Sequence, residues 1–411
     1  MIERAEDFSQ IKALWESCAH ATRASTGWKA CATTVFQSYA WNAIAARLFA
    51  GREQPYVVVA ESDSGAAIIP GCVRRDSFSL LGEELFDYRE VIACGDEAVL
   101  DRAWQKVADL ALRVEIKAVR GERTWAEMSP FAGAPYLPMS VTVKRNKSLE
   151  RNLRLLAEQG CTLSTHGLKP VSFMAAHHPA EAGCPRENPT DTARDDAQRS
   201  HADEIGILPP RQARGQDDKS SSRDGLAALA EALPLDCASP ASTAPLGLTN
   251  GLKRPAAKSI GILRCAQDDK SDFLQDDKSD FVQNVRRMYE LKARHESGSL
   301  FRDPLRIEAV VEITLSAPSE VFTIEHDGEL VAAVLTFIDG NVCRFYGTYY
   351  DERWARYSPG VSLLYRVIEQ AQACGLDFDF MTGEQPYKMR FASEVVPLYI
   401  AQVPVAAKIA A

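Results

Sequence analysis

The pairs Asp327-Gly328 and Asp339-Gly340 each stand between apolar runs, and few signals constrain a chain more tightly. Both residue types tolerate positive φ, so the chain can reverse within two residues in the hand that matches strand twist. The runs they separate, 321–326, 329–338 and 341–350, therefore read as a three-stranded antiparallel meander. A meander needs cover for its apolar face. Helical periodicity supplies it at 281–295 and 303–314 before the meander and at 359–374 after it. A strand at 376–380, a helix near 385–393 and a last strand at 397–403 complete this part.

An earlier part of the chain has the same order of elements. Helices are predicted at 8–19 and 36–49, and strands at 56–61, 66–74, near 78–81 and at 88–93. A helix at 97–112 and a strand at 114–119 follow. A helix at 148–159 and a short strand at 161–165 then open the second part. With 411 residues the chain has room for two or three domains. The expected division is an N-terminal domain at 1–145 and a C-terminal domain built from 146–166 and 280–411.

Between those pieces, 167–279 is dominated by Pro, Ser, Asp, Arg and Gln and has no sustained period. Gln-Asp-Asp-Lys-Ser occurs three times, beginning at Gln216, Gln267 and Gln275, and Ile-Gly-Ile-Leu occurs twice, beginning at Ile205 and Ile260. Nothing in these repeats alternates to build a shared apolar face, so they do not form a solenoid. The segment reads as a disordered, functionally dispensable insertion, because too few apolar residues offset the entropy of ordering it. A partner-binding linker is the competing reading.

Composition narrows the function classes. Hydrophobic residues make up 46% and charged residues 25%, the balance of a folded globular protein. The net charge is −9 and no dense Lys/Arg stripe interleaved with aromatics appears, so no nucleic-acid partner is expected. The ten cysteines contain no Cys-x-x-Cys pair, and they read as reduced thiols rather than a zinc site or a disulfide framework. The adjacent His177 and His178 fall where no regular structure is expected, and no metal is assigned to them. Glu3, Glu6, Asp7 and Glu16 do not fit a signal peptide, and no run is long and apolar enough to span a bilayer. The expected location is cytoplasmic.

The stretch 349–391 is the richest in chemistry. Ser358 and Pro359 are suited to the N-cap and first position of the helix that begins there, leaving the first backbone N–H groups without intrahelical acceptors. Such a helix start attracts anions, and Arg353, Arg356 and Arg366 lie close enough in sequence to pair with phosphates. By itself this pattern is also that of an ordinary strand-to-helix turn with surface arginines.

Two helices, an antiparallel meander, a helix with an anion-binding start and a further strand is the element order of GNAT acetyltransferases. The sequence Tyr357-Ser358-Pro359-Gly360, with Leu363-Leu364, Asp377-Phe378-Asp379-Phe380 and Gly383-Glu384-Gln385-Pro386-Tyr387-Lys388, resembles the C-terminal signature of the CelD-type GNAT family of exopolysaccharide and cellulose operons. Phe86-Asp87-Tyr88 and the segment 36–41 match that family in the first part. The resemblance implies an α/β (α+β) fold of two tandem GNAT-like domains, related to Fem-type transferases. Each is a mixed, mostly antiparallel sheet flanked by helices, and only the second binds acyl-CoA.

It also implies acetyl-CoA or another acyl-CoA as co-substrate, held by Arg353, Arg356, Tyr357, Ser358, Pro359, Gly360, Val361 and Ser362, with no metal. Its pantetheine lies between two splayed strands. Asp379 and Glu384 are the alternative bases for the acceptor ammonium, and Tyr387 is the candidate acid for the leaving thiolate. Lys388, Tyr346, Asp87 and Tyr88 are candidate contacts for a small amine or amino-sugar acceptor. Most have a plainer reading: Asp377 and Asp379 as the solvated side of an edge strand, Tyr387 and Lys388 as an exposed first helical turn, and Asp87 and Tyr88 as capping and packing of the first domain. Fem-like aminoacyl transfer from tRNA and a non-catalytic scaffold associated with polysaccharide-synthesis proteins are the alternative functions.

Overall fold

The computed structural model describes residues 1, 3, 5–25, 34–82, 85–110, 112–121, 123–168 and 274–403, all within one compact unit. A 3-10 stretch, Ala5–Ile11, leads into α1 (Lys12–Ser25), and a second, Val35–Gln37, leads into α2 (Tyr39–Leu48), where Ser38 accepts a bond from Trp41 N as N-cap. Then come β1 (Gln54–Ser62), β2 (Gly65–Arg74), β3 (Ser77–Leu80), β4 (Ile92–Gly95), α3 (Glu97–Ala108), β5 (Arg113–Arg120) and β6 (Glu127–Leu137). The second half runs α4 (Lys147–Glu158), β7 (Thr162–Leu168), α5 (Leu274–His295), α6 (Pro304–Leu315), β8 (Ser319–His326), β9 (Glu329–Asp339), β10 (Val342–Tyr350), α7 (Pro359–Ala373), β11 (Asp377–Asp379), α8 (Pro386–Met389) and β12 (Glu394–Val403).

The meander forms, and its first reversal is the one the Asp-Gly pair requires. Asp327 and Gly328 both take positive φ, 50° and 74°, and β8 and β9 meet across them. The second reversal is displaced by one residue: Asp339 stays in β9, and the chain turns at Gly340 (φ 63°) and Asn341. The reason is an inward pull on the Asp339 carboxylate, which Val35 N reaches at 3.0 Å and Arg344 Nε at 3.0 Å.

Twelve strands make one mixed sheet in the order β1-β2-β3-β5-β12-β6-β11-β10-β9-β8-β7, with β4 on β2 off this path. Helices cover both faces. Residues from α1, α2, α5 and α6 share one apolar cluster with Ile68, Val321, Ala333, Leu335 and Phe337, while α4 and α7 pack against the opposite face at Phe322, Val334 and Phe345. The remaining cluster sets α3 on β1, β2 and β5.

The halves exchange strands. β12, late in the chain, lies between β5 and β6, and β6 from the first half lies between β12 and β11. Neither half therefore closes its sheet from its own strands, and the sheet runs unbroken past position 145. Local pattern does not predict β6, because Pro130, Gly133 and Pro135 interrupt its alternation; long-range pairing with β12 holds it in place.

Two further expectations change. The strand predicted at 88–93 is shorter and displaced to Ile92–Gly95, because Tyr88 and Glu90 turn inward to bond Asp379 and Arg120. Of the segment 167–279, residues 169–273, including His177 and His178, lie outside the described residues; its ends are structured, with Gly167 and Leu168 closing β7 and 274–279 opening α5.

Candidate functional site

The sheet opens between β10 and β11. These parallel strands pair only through Val342↔Asp377, Cys343↔Phe378 and Arg344↔Asp379. Beyond that point β10 stays on β9 as far as Tyr350↔Ala332, while the chain after β11 follows β6 instead: Phe380 N donates to Pro135 O at 3.0 Å, and Gly383 N to Gly133 O at 2.8 Å. Each strand keeps one neighbour and leaves the other, so a gap widens between them. A β-bulge between Phe345 and Gly347 lies at its mouth.

A buried ionic network holds the closed end of the gap. Arg344, 6% exposed, donates from Nε to Asp339 and from Nη1 to Asp379. Asp379 Oδ1 accepts Tyr88 OH at 2.7 Å and Met381 N at 2.8 Å. The guanidinium of Arg344 also lies 5.7 Å from the Tyr88 ring centre, and that of Arg120 lies 5.1 Å from it, where the ring's π face favours a cation. Asp379 is thus interior rather than the solvated side of an edge strand. Both of its oxygens are engaged by protein donors, which leaves it an anchor for Tyr88 and Arg344. Asp377 is buried too, bonded by Tyr136 OH and Met139 N at 2.8 Å each.

At the open end, the turn Glu352–Tyr357 delivers the chain to α7. Ser358 takes a left-handed conformation (φ 47°, ψ 52°) and caps with no side-chain bond; Pro359 is the first helical residue. The first intrahelical bond is Ser362 N to Ser358 O, so the Gly360 and Val361 N–H groups precede any intrahelical acceptor. Gly360 stands beside Tyr350, the last residue of β10, which puts the helix start at the edge of the gap. Arg353 is already held by Asp351 and by Glu329 at 2.8 Å. Arg356 lies 4.6 Å from the Tyr357 ring centre and is exposed, and Arg366 pairs with Glu369 on the surface.

The candidate acceptor residues gather on the α5 face. Tyr346 OH donates to Leu85 O at 2.9 Å, fastening the bulge to the loop that carries Asp87. Asp87 is half-buried, and burial raises its carboxyl above the usual range against the lowering influence of Lys388. Lys388 is not an exposed first turn: it is 6% exposed, donates to Thr382 O at 2.8 Å, and burial brings its ammonium down to about 8. On the same face a cavity of about 220 Å³ lies between Phe49, Leu85, Arg52, Glu53 and Arg306.

Tyr387 belongs to the other face. Its ring packs 6.3 Å from Phe345, and burial pushes its phenol up to about 12. Glu384 is exposed and folds against Gly133 on β6.

Arg344, Asp339 and Tyr136 were not anticipated as members of this site. The one local signal was a lone arginine inside the apolar run of β10. A basic feature also differs from expectation. Lys147, Arg151 and Arg154 fall at i, i+4 and i+7 on α4, all exposed, on a helix that packs along α7 and reaches the turn carrying Arg356.

Residues 262–389 match the family model for an acetyltransferase (GNAT) domain. No curated protein matches the sequence. Among solved structures, the chain is similar to the C-terminal domain (DUF2156) of a putative lysylphosphatidylglycerol synthetase from Agrobacterium fabrum, at 10% identity and TM-score 0.44, with 89% of this chain and 87% of that one covered. It is also similar to a tandem GNAT protein from the clavulanic acid biosynthesis pathway, at 9% identity and TM-score 0.42, covering 98% and 97%. A conserved protein of unknown function from Bacteroides thetaiotaomicron VPI-5482 gives 7% identity and TM-score 0.47, covering 96% and 97%. Among the described residues no helix is long and apolar enough to cross a membrane, and no group of three or more His, Cys, Asp or Glu side chains is placed to hold a metal.

Proposed function

We propose that this protein transfers an acyl group from acyl-CoA to an amine, with an amino sugar or another precursor of cell-envelope or exopolysaccharide material as the acceptor class. The parting of β10 from β11, with the start of α7 beside the opening, is the observation that carries this reading. Acyl-CoA, when bound, supplies an activated thioester. The chain's own groups fit it: the Gly360 and Val361 N–H groups with Arg356 suit a pyrophosphate, and the length of β10 left unpaired by β11 beyond Arg344 is where a pantetheine arm would lie. Arg353, neutralised by Asp351 and Glu329, contributes less.

For the chemistry, Asp87 replaces Asp379 and Glu384 as the base. Its carboxyl, raised by burial, lies nearer the working range than an exposed one and takes the proton from the acceptor ammonium, while Lys388 favours the ionised form that accepts it. The amine nitrogen then bonds to the acyl carbon as the carbon–sulfur bond breaks. Tyr387, kept protonated by burial, gives its proton to the departing thiolate from the α7 face, and the second proton shed by the acylated nitrogen returns through solvent to the Tyr387 phenolate. The polar cavity beside Leu85 is where the rest of the acceptor is accommodated.

Calorimetric titration of acetyl-CoA and longer acyl-CoAs into wild type and Gly360→Trp tests the donor half. Gly360 is a better block than Ser358, whose left-handed backbone would be strained by a bulky residue. Binding by wild type alone supports the site; binding by neither folded protein refutes it. Asp87→Asn should then lower kcat by roughly 10²–10⁴-fold with little change in donor affinity.

The exposed basic stripe on α4 favours a second reading, Fem-like aminoacyl transfer from tRNA, since it extends the positive charge roughly 10 Å along the helix from Lys147 to Arg154. Salt-sensitive binding of tRNA that is lost in Lys147→Glu/Arg151→Glu, together with no acyl-CoA binding, would select that reading.

A further inference from the structure

Helix α5 lies along the splayed end of β10 and presents three polar side chains to consecutive strand residues. Lys292 Nζ donates to Thr348 O at 3.4 Å, and His295 Nδ1 stands 3.1 Å from Tyr349 OH. One turn earlier, Tyr289 meets Gly347 at the bulge, where an added Cβ would fall 2.4 Å from the Tyr289 hydroxyl oxygen. The bulge therefore needs glycine at this position to make room for that hydroxyl. Tyr289 is 1% exposed and packs its ring 4.1 Å from Phe301, yet its hydroxyl has no hydrogen-bond partner among the described residues.

A phenylalanine would fill the same space without leaving a buried hydroxyl unsatisfied, which is costly. The neighbouring hydroxyl of Tyr346 is already committed to Leu85 O, so among the described residues Tyr289 alone brings an uncommitted phenol to this point of the strand. Burial keeps the phenol protonated, and therefore a donor, throughout the neutral range.

Resting on the acyl-transfer reading, we infer that the Tyr289 hydroxyl is a hydrogen-bond donor to the acyl oxygen, acting beside the β10 backbone at the bulge. As the acceptor nitrogen bonds to the acyl carbon, negative charge builds on that oxygen. A fixed donor in a dry site stabilises this charge without reorganising. The hydroxyl proton stays on Tyr289, so the proton balance still runs through Asp87 and Tyr387.

Tyr289→Phe removes only the hydroxyl and tests the assignment. The expected result is a kcat lower by roughly 10²–10³-fold, KM for the acyl donor nearly unchanged, and a melting temperature equal to or above that of wild type. Wild-type kcat in Tyr289→Phe overturns the inference and leaves the acyl-transfer reading standing. So does a lower melting temperature with unchanged kcat, because the hydroxyl would then be a structural one. A wild-type protein that neither binds nor turns over acyl-CoA overturns both together.

Discussion

Arg344→Met tests whether the ionic network fixes the point at which β10 and β11 separate. The arginine is almost wholly buried and is shared by Asp339 and Asp379. Methionine fills much of the volume but removes the cation, leaving two carboxylates in a desolvated interior. Breaking one buried pair from the cationic side costs about 3–5 kcal/mol, a large part of the ~5–15 kcal/mol by which a typical domain is stable. Urea unfolding of wild type and variant at neutral pH reads that loss directly.

In Arg344→Met/Asp379→Asn, the amide oxygen can still accept the bonds from Tyr88 and Met381, so the double variant should regain a kilocalorie or more, on the order of a neutral hydrogen-bonded replacement for a buried charge. A single variant within about 1 kcal/mol of wild type, or a double variant no better than the single, would refute the view that paired charge holds the closed end of the gap.

Three further outcomes are expected. Lys388 is held at about 8 against an ordinary 10.5, so the unfolded chain binds more protons between those values; stability should rise by about 3 kcal/mol from pH 8 to 10.5, and Lys388→Met, followed by thermal melts, should abolish that slope. Gly347→Ala drives a methyl against Tyr289 OH and toward Met288 Cε, 3.0 Å away, and should cost about 1–3 kcal/mol on unfolding while lowering kcat; a neutral effect would mean that the strand yields at the bulge. Tyr88→Phe removes one of the donors to Asp379 and should cost about 1–3 kcal/mol, measured by denaturant unfolding, with no effect expected on acyl-CoA affinity.

The sequence by itself determined the elements whose signals are local. Asp327-Gly328 specifies its reversal because both residues accept positive φ, and Pro359 and Gly375 bracket α7 because one fits a first helical turn and the other a left-handed end. The meander, the helices around it and the start of α7 at the end of a strand follow from such signals. Tertiary structure alone decided what those elements enclose. β6 is an irregular run of prolines and glycine until β12 and β11 pair with it, and the exchange of β6 and β12 depends on contacts more than two hundred residues apart. Asp379 alternates with phenylalanines as an outward-facing residue would, yet Arg344 and Tyr88 draw it inside, since a charge can be buried when partners satisfy it. Tyr289 reads as one more apolar position on an amphipathic helix. Its hydroxyl, unpartnered among the described residues, has room only because of a glycine in β10, 58 residues later in the chain.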